Sequence, residues 1–202
     1  MNYLGLLLLS SLLIVVAACS QHVSVIRSDK SYYFPVDQWR IKGKLGVRTD
    51  TDSGSVAIDW RQHRDHYRIR VNGPLGQGGA WVEGDRQFIT LQQPGRQPVV
   101  STTPEQLLKE TLGWFLPIND LRYWVQGVPN SNKMISEPAY DKQGMLVAFE
   151  QADWSVSLSR YKPVEKWLLP HKIRLNKNDV QLTLAIREWQ FPQSIAPFSS
   201  SP

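Results

Sequence analysis

From Trp39 onward the chain alternates with a period of two. Trp39, Ile41, Leu45 and Val47 alternate with Arg40, Lys42, Lys44 and Arg48, then Val56, Ile58 and Trp60 with Ser55, Ala57 and Asp59. Tyr67, Ile69 and Val71 then alternate with His66, Arg68 and Arg70. Successive side chains of a strand point to opposite faces, so this pattern predicts three strands with an aromatic and β-branched face and a charged face. The short polar stretches "TDTDSG" and "QHRDH" separate them at hairpin spacing. The expectation is an antiparallel meander with one face in water.

Further strands are expected at Ala80 to Glu83, Gln87 to Gln92, near Val99, and at Met145 to Glu150, Trp154 to Tyr161, Lys172 to Leu175 and Val180 to Trp189. Two helices interrupt them. In "TPEQLLKETLGWF", Thr103 suits an N-cap, Pro104 the first helical position and Gln106 the far end of a capping box; Leu107, Leu108, Thr111, Leu112 and Phe115 form the apolar stripe. In "NDLRYWVQG", Asn119 or Asp120 stands near the start, Leu121, Trp124 and Val125 face inward, and Gly127 is the stop. The fold class is therefore mainly β: a curved antiparallel sheet or incomplete barrel with a short helical lid over a hydrophobic cavity.

At 202 residues the chain has room for one substantial core. Ahead of that core, Leu4 to Val16 is an apolar run too short to span a bilayer, and it leads through "VAAC" into the only cysteine. This resembles a bacterial lipoprotein signal peptide. The small residues fit a tight peptidase pocket, and the Cys19 thiol is the nucleophile that takes the lipid. The resulting division is a signal peptide at 1–18, lipidated Cys19 and a tether over 19–36, the folded domain at 37–190 and a disordered tail at 191–202. Ser20, rather than an aspartate, follows the cysteine, which by resemblance to the proteobacterial sorting rule directs the chain to the outer membrane, facing the periplasm. Fully extended, residues 20–36 reach at most about 60 Å, enough for the domain to stand off the membrane and still touch it.

The net charge of +5 belongs to the mature part, because residues 1–18 carry no charged side chain. Basic character suits nucleic acid, anionic lipid or an acidic protein. A lipid tether argues against nucleic acid. Catalytic and metal-binding patterns are missing: His63 and His66 sit in a polar turn without the helical spacing of a zinc protease, and no nucleophile elbow or phosphate loop occurs. No catalytic residue, metal or cofactor is expected.

One stretch, "NGPLGQGGAW", stands apart. Pro74 presets a turn, glycines surround it, and Leu75 is left at the tip where water should be. A type I turn over Gly73 to Gly76 with an incidental leucine is the plain alternative.

"GKLGVR", "DWRQHRDHYRIRVNGPLG", "LLKETLGWFLPINDLRYWVQGVP", "DWSVSLSRY" and "LPHKIRL" occur in the order found in the LolB family of outer-membrane lipoproteins, which this chain resembles over residues 37–190. The resemblance implies an incomplete barrel with a helical lid over an apolar cavity, and a non-enzymatic, monomeric receptor. Such a receptor accepts acylated lipoprotein cargo from a LolA-like periplasmic carrier and inserts it among the outer-membrane lipids. It also implies that the loop of Gly73, Pro74, Leu75 and Gly76 protrudes and delivers cargo into the membrane. Trp60, Trp124 and Trp154 are then candidates for the wall or lid of the acyl-chain cavity, with Leu112 and Phe115 on the covering helix. A lipid-binding envelope lipoprotein without handover is the competing expectation, and an envelope hydrolase a more distant one. The protruding loop separates handover from storage.

Overall fold

A computed structural model of the chain describes residues 35–73, 79–112 and 115–192, with the side chains of residues 111–112 excepted. In chain order the strands are β1 (Gln38–Arg48), β2 (Ser53–His63), β3 (His66–Asn72), β4 (Ala80–Gly84), β5 (Ile89–Gln92) and β6 (Val99–Ser101). The helices α1 (Pro104–Leu112) and α2 (Ile118–Trp124) follow. After them come β7 (Ser136–Tyr140), β8 (Leu146–Gln151), β9 (Trp154–Ser159), β10 (Lys162–Val164), β11 (Trp167–Leu169), β12 (Lys172–Lys177) and β13 (Val180–Gln190).

Eleven strands form one antiparallel sheet in the order β6-β5-β4-β3-β2-β1-β13-β12-β9-β8-β7, and β10 pairs with β11 alone. The order explains how two hairpin series become one surface. The N-terminal meander runs outward from β1, the C-terminal strands run outward from β13, and β1 joins β13 along nearly their whole length. Strands β6 and β7 remain as free edges, so the barrel is incomplete.

The alternation sorts as the sequence predicts. Trp39, Ile41, Leu45, Ile58, Trp60, Tyr67 and Ile69 are buried in one cluster with Leu182, Leu184, Ile186, Ile173, Leu175, Val156 and Leu158 from the other half. Arg40, Lys42, Asp59, Arg68 and Glu83 lie on the opposite face, where Arg40 bonds Asp59 at 2.5 and 2.8 Å, Lys42 reaches Glu188 at 3.1 Å and Arg68 reaches Glu83 at 2.9 Å. Part of the basic character is therefore neutralised within the sheet. The described cluster is complete between Trp39 and Phe191, so a chain beginning at Ser20 retains every element of it.

Gly43 interrupts the apolar series of β1 for a steric reason. The register slips between Lys42 and Gly43, and a Cβ at Gly43 would sit 2.2 Å from the carbonyl oxygen of Ala185. Backbone on the central strand β13 cannot move aside cheaply. Gly43→Ala is expected to lower unfolding stability by about 1–3 kcal/mol, read as a shifted urea midpoint with an unchanged slope. An unchanged midpoint would show that β1 and β13 separate freely there.

Several expectations need correction. Strands β7, β10 and β11 were not expected: β7 is exposed at every residue and contains Pro138, and the β10-β11 hairpin has three-residue arms with Pro163 in one of them. None of them carries a two-residue apolar period. The capping box at α1 is not made. The Thr103 backbone N–H donates to Ser101 Oγ at 3.1 Å, and Gln106 turns forward to Glu110 at 2.9 Å. Helix α2 begins at Ile118, after Pro117, so Asn119 and Asp120 fall inside its first turn rather than at its cap. Gly127 does end that segment, at a φ of +81° that an L side chain adopts only with strain.

Candidate functional site

The inner face of the sheet and the two helices enclose the region where the site was expected. Trp60 projects inward from β2 and Trp154 from β9, with β1, β13 and β12 between those strands in the sheet. Trp124, the last residue of α2, is fully buried and meets Phe149 of β8 edge-on at 6.2 Å. Leu107 and Leu108 of α1 and Ile118 and Leu121 of α2 join the same cluster. The three tryptophans are thus in one apolar interior, two on the sheet and one on the helical cover.

The two covering candidates beyond Trp124 fare differently. Phe115 is not on the helix, which is described as far as Leu112; it is 39% exposed and carries Lys109 Nζ 5.1 Å above its ring. Its place in the stripe assumed helical spacing past Leu112. The Leu112 side chain, Cys19, Pro74, Leu75 and Gly76 lie outside the described residues. Gly73 is described, and it follows β3 directly. Val71 pairs with Ala80, so residues 73–79 join neighbouring strands at the end opposite the β2-β3 turn.

Polar side chains inside this interior were missed by sequence reasoning. Gln151 Oε1 accepts the indole N–H of Trp124 at 2.8 Å and the Asn130 backbone N–H at 2.9 Å, while its Nε2 donates to the carbonyls of Asn130 and Lys133 at 2.9 and 3.0 Å. Asp120, also buried, accepts from Asn130 Nδ2 at 2.8 Å and from Lys133 Nζ at 2.7 Å. Gln62 does the equivalent on β2, accepting from Trp60 Nε1 at 3.0 Å and donating to the Arg64 carbonyl at 2.7 Å. The available signal for Gln62 was its position: it continues the inward series Ile58, Trp60.

Helix α2 is therefore tied at several points. Arg122 donates to Asp65 at 2.8 Å as well, linking α2 to the β2-β3 turn. Burial works to raise the Asp65 carboxyl pKa, but the hydrogen bonds and charges of Arg122 and Arg86 prevail and hold it below the usual carboxylate range. Among the described side chains, helix α1 is tied to the rest of the cover by the hydrogen bond from Asn119 Nδ2 to Glu105 at 3.0 Å.

On the outer face Lys172 and Arg174 of β12 stand near Arg160. Repulsion from Arg174, with burial and Arg160 adding to it, pushes the Lys172 ammonium below its ordinary pKa. Lys44 continues this positive surface, since Lys44 and Lys172 both pair with Ala185 from either side.

A half-open antiparallel sheet capped by two helices is shared with solved proteins. A LolA superfamily protein from Nitrosomonas europaea superposes with a TM-score of 0.52 over 80% of this chain and 89% of its own, at 9% identity. A DUF1329 family protein from Desulfovibrio piger reaches 0.56 over 79% and 88%, at 8% identity. These likenesses establish the fold. Residues 37–189 match the family model described as outer membrane lipoprotein LolB. The chain belongs to the LolB family. Proteins named outer-membrane lipoprotein LolB are similar along most of their length. That of Cellvibrio japonicus is 38% identical over 159 residues, 77% of this chain and 78% of its own. The Pseudomonas fluorescens protein is 39% identical over 163 residues, covering 81% and 79%, and the Pseudomonas aeruginosa protein 35% over 164 residues, covering 81% and 80%. The LolB match spans the meander, both helices and all but the last residue of β13, so all of the described sheet except Gln190 falls within the family unit.

Proposed function

We propose that this LolB-family chain, an outer-membrane lipoprotein of the lipoprotein localisation pathway, takes acylated lipoproteins from a LolA-like carrier by their acyl chains and inserts them into the outer membrane. The observation that carries the reading is the apolar interior shared by sheet and helices, with Trp60 and Trp154 on the sheet and Trp124 on the cover, inside a segment that matches the LolB family. A lipidated Cys19 would supply the lasting anchor, and the loop containing Pro74, Leu75 and Gly76 the transient contact with the bilayer.

The physical task needs shielding rather than a catalyst. A triacylated lipoprotein exposes on the order of 45 methylenes, each worth about 0.8 kcal/mol when buried, so an unshielded crossing of the periplasm carries a prohibitive cost. Aromatic and aliphatic side chains give broad, non-directional affinity suited to chains of variable length. Direction follows from a descending ladder of affinity from carrier to receptor to bilayer, with no nucleotide consumed. No catalytic group enters this scheme.

Acyl chains enter this apolar interior as part of the cover moves aside. Helix α1 is the moving part, because α2 is held by Gln151, Asp120 and Arg122 while α1 has the fewer polar ties among the described side chains. The positive surface at Lys44, Arg160, Lys172 and Arg174 suits an acidic face on the carrier, steering encounter. An environment-sensitive apolar dye is expected to bind the folded chain and to be displaced by a lipoprotein but not by the same protein without its acyl chains. Equal displacement by both would remove the acyl-chain reading. Binding of acylated lipoprotein with no delivery into liposomes by the unaltered chain would favour a storage lipoprotein instead.

A further inference from the structure

Of the five buried tryptophans among the described residues, four divide into two pairs by the fate of the indole N–H. Trp60 and Trp124 each have a dedicated buried glutamine as acceptor for the indole N–H, Gln62 and Gln151. Trp39 and Trp189 have none: both rings are buried, and neither Nε1 meets an acceptor among the described residues. The two unpartnered indoles are neighbours. Their ring centroids lie 5.6 Å apart in an edge-on arrangement, Trp39 also meets Trp60 at 5.1 Å, and Trp189 stacks on Phe191 at 6.0 Å. Ring faces are far weaker acceptors than carbonyl oxygens. Leaving a buried donor unmade costs more than a typical hydrogen bond returns, so two of them side by side need a reason.

Two other buried polar atoms lack partners, the Tyr67 hydroxyl and Arg122 Nε. The remaining nitrogens of Arg122 are engaged with Asp65 and the Tyr123 hydroxyl, so among these atoms only the indole pair places two donors on neighbouring, otherwise apolar rings. Trp39 also lines a cleft of about 250 Å³, together with Gln62, Arg122, Tyr123 and Gln126. That cleft has a polar rim and reaches the aromatic cluster. It is a path by which an amphiphile can bring an acceptor to these donors with its polar end toward water.

A diacylglyceryl-cysteine carries apolar chains and, where each chain joins the glycerol, an ester carbonyl. We infer that the indole N–H groups of Trp39 and Trp189, carried on neighbouring rings, bind the ester carbonyl oxygens of the cargo's acyl linkages, fixing the depth to which the chains enter. The inference rests on the acyl-binding reading above and adds a polar subsite to it. The indoles donate, the carbonyls accept, and no bond is made or broken. Chain length is then left free while the linkage is recognised, which fits a receptor for cargo united only by its lipidated end.

The test uses the chain from Ser20 to Pro202 and two synthetic cysteine peptides, one with a diacylglyceryl group and one with the same chains joined by ethers, which lack the carbonyls. Affinities are read by displacement of an apolar dye, and the indole N–H resonances by nitrogen-15 NMR, assigned with the variants Trp39→Phe and Trp189→Phe. The wild-type chain is expected to bind the ester peptide roughly three- to tenfold more tightly per hydrogen bond than the ether peptide. The Trp39 and Trp189 resonances move downfield with the ester alone, while those of Trp60 and Trp124 stay in place. Each Phe variant keeps an aromatic ring and loses the donor; the smaller ring lowers the unfolding midpoint modestly, and the folded variant loses the ester preference while ether affinity stays within about twofold. Equal affinity for the two peptides, or Phe variants that keep the preference, overturns the subsite and leaves the acyl-binding reading intact. Binding of neither peptide overturns that reading and the subsite with it.

Discussion

Leu75→Glu is expected to accept lipoprotein from its carrier at close to the wild-type rate and to fail in releasing it into liposomes. The residue falls in sequence between β3 and β4, among turn formers that call for an exposed position, so the substitution should change stability by no more than about 0.5 kcal/mol. At a bilayer interface a leucine gains roughly 1.5–3 kcal/mol by burial, and a carboxylate there meets both apolar chains and anionic headgroups. Such a gain is too small to anchor a protein and large enough to hold the chain against the membrane for a short time. Leu75→Ile and Leu75→Phe keep the apolar contact and should keep much of the delivery. Carrier-to-receptor and receptor-to-liposome transfer, measured separately, distinguish the outcomes. A variant that lost the first step and kept the second would return the loop to an ordinary connection.

The largest stability effect is expected at Gln151. Gln151→Leu preserves volume but removes four hydrogen bonds at once, leaving Trp124 Nε1, the Asn130 backbone N–H and two carbonyls without this partner. Those groups are buried or half-buried, and stranding them should cost about 3–5 kcal/mol, read as a shift of the urea midpoint. Gln62→Leu, which strands only Trp60 Nε1 and the Arg64 carbonyl, should cost about 1–3 kcal/mol. Amide exchange should localise the difference: in Gln151→Leu the amides of α2 and residues 125–133 lose protection first. If both variants lost equal stability, the network around Gln151 would not be what fixes α2 to the sheet.

How much of this was legible beforehand depends on whether a residue's role repeats along the chain. Strands β1, β2 and β3 announce themselves because each inward residue is apolar and each outward one polar, a pattern that only a sheet with one buried face requires. Trp60 and Trp154 could be assigned to the interior for the same reason, and Trp124 from the apolar face of its helix. Strand β7 is exposed at every position, so no face preference is written into "SEPAY". Pairing with β8 forms it, and pairing leaves no trace in a single sequence. The start of α2 was misplaced because Asn119 and Asp120 are good capping types; tertiary partners claimed them, Glu105 for Asn119 and the pair Asn130 and Lys133 for Asp120. Those partners lie too far along the chain for local rules to supply. Gln62 and Gln151 look like ordinary polar residues until Trp60 and Trp124 are seen to need acceptors. Leu75 stood out in the sequence for the opposite reason, as an apolar residue among turn formers, and it lies outside the described residues.

The central claim is that this chain receives lipoproteins through their acyl chains. A carrier loaded with a radiolabelled lipoprotein, mixed with the chain from Ser20 to Pro202, tests it most directly when the two are separated and counted. The label is expected to move to this chain without any nucleotide and to stay on the carrier when the chain is unfolded beforehand. A folded chain that takes no label from a carrier competent to release it to another receptor would contradict the account.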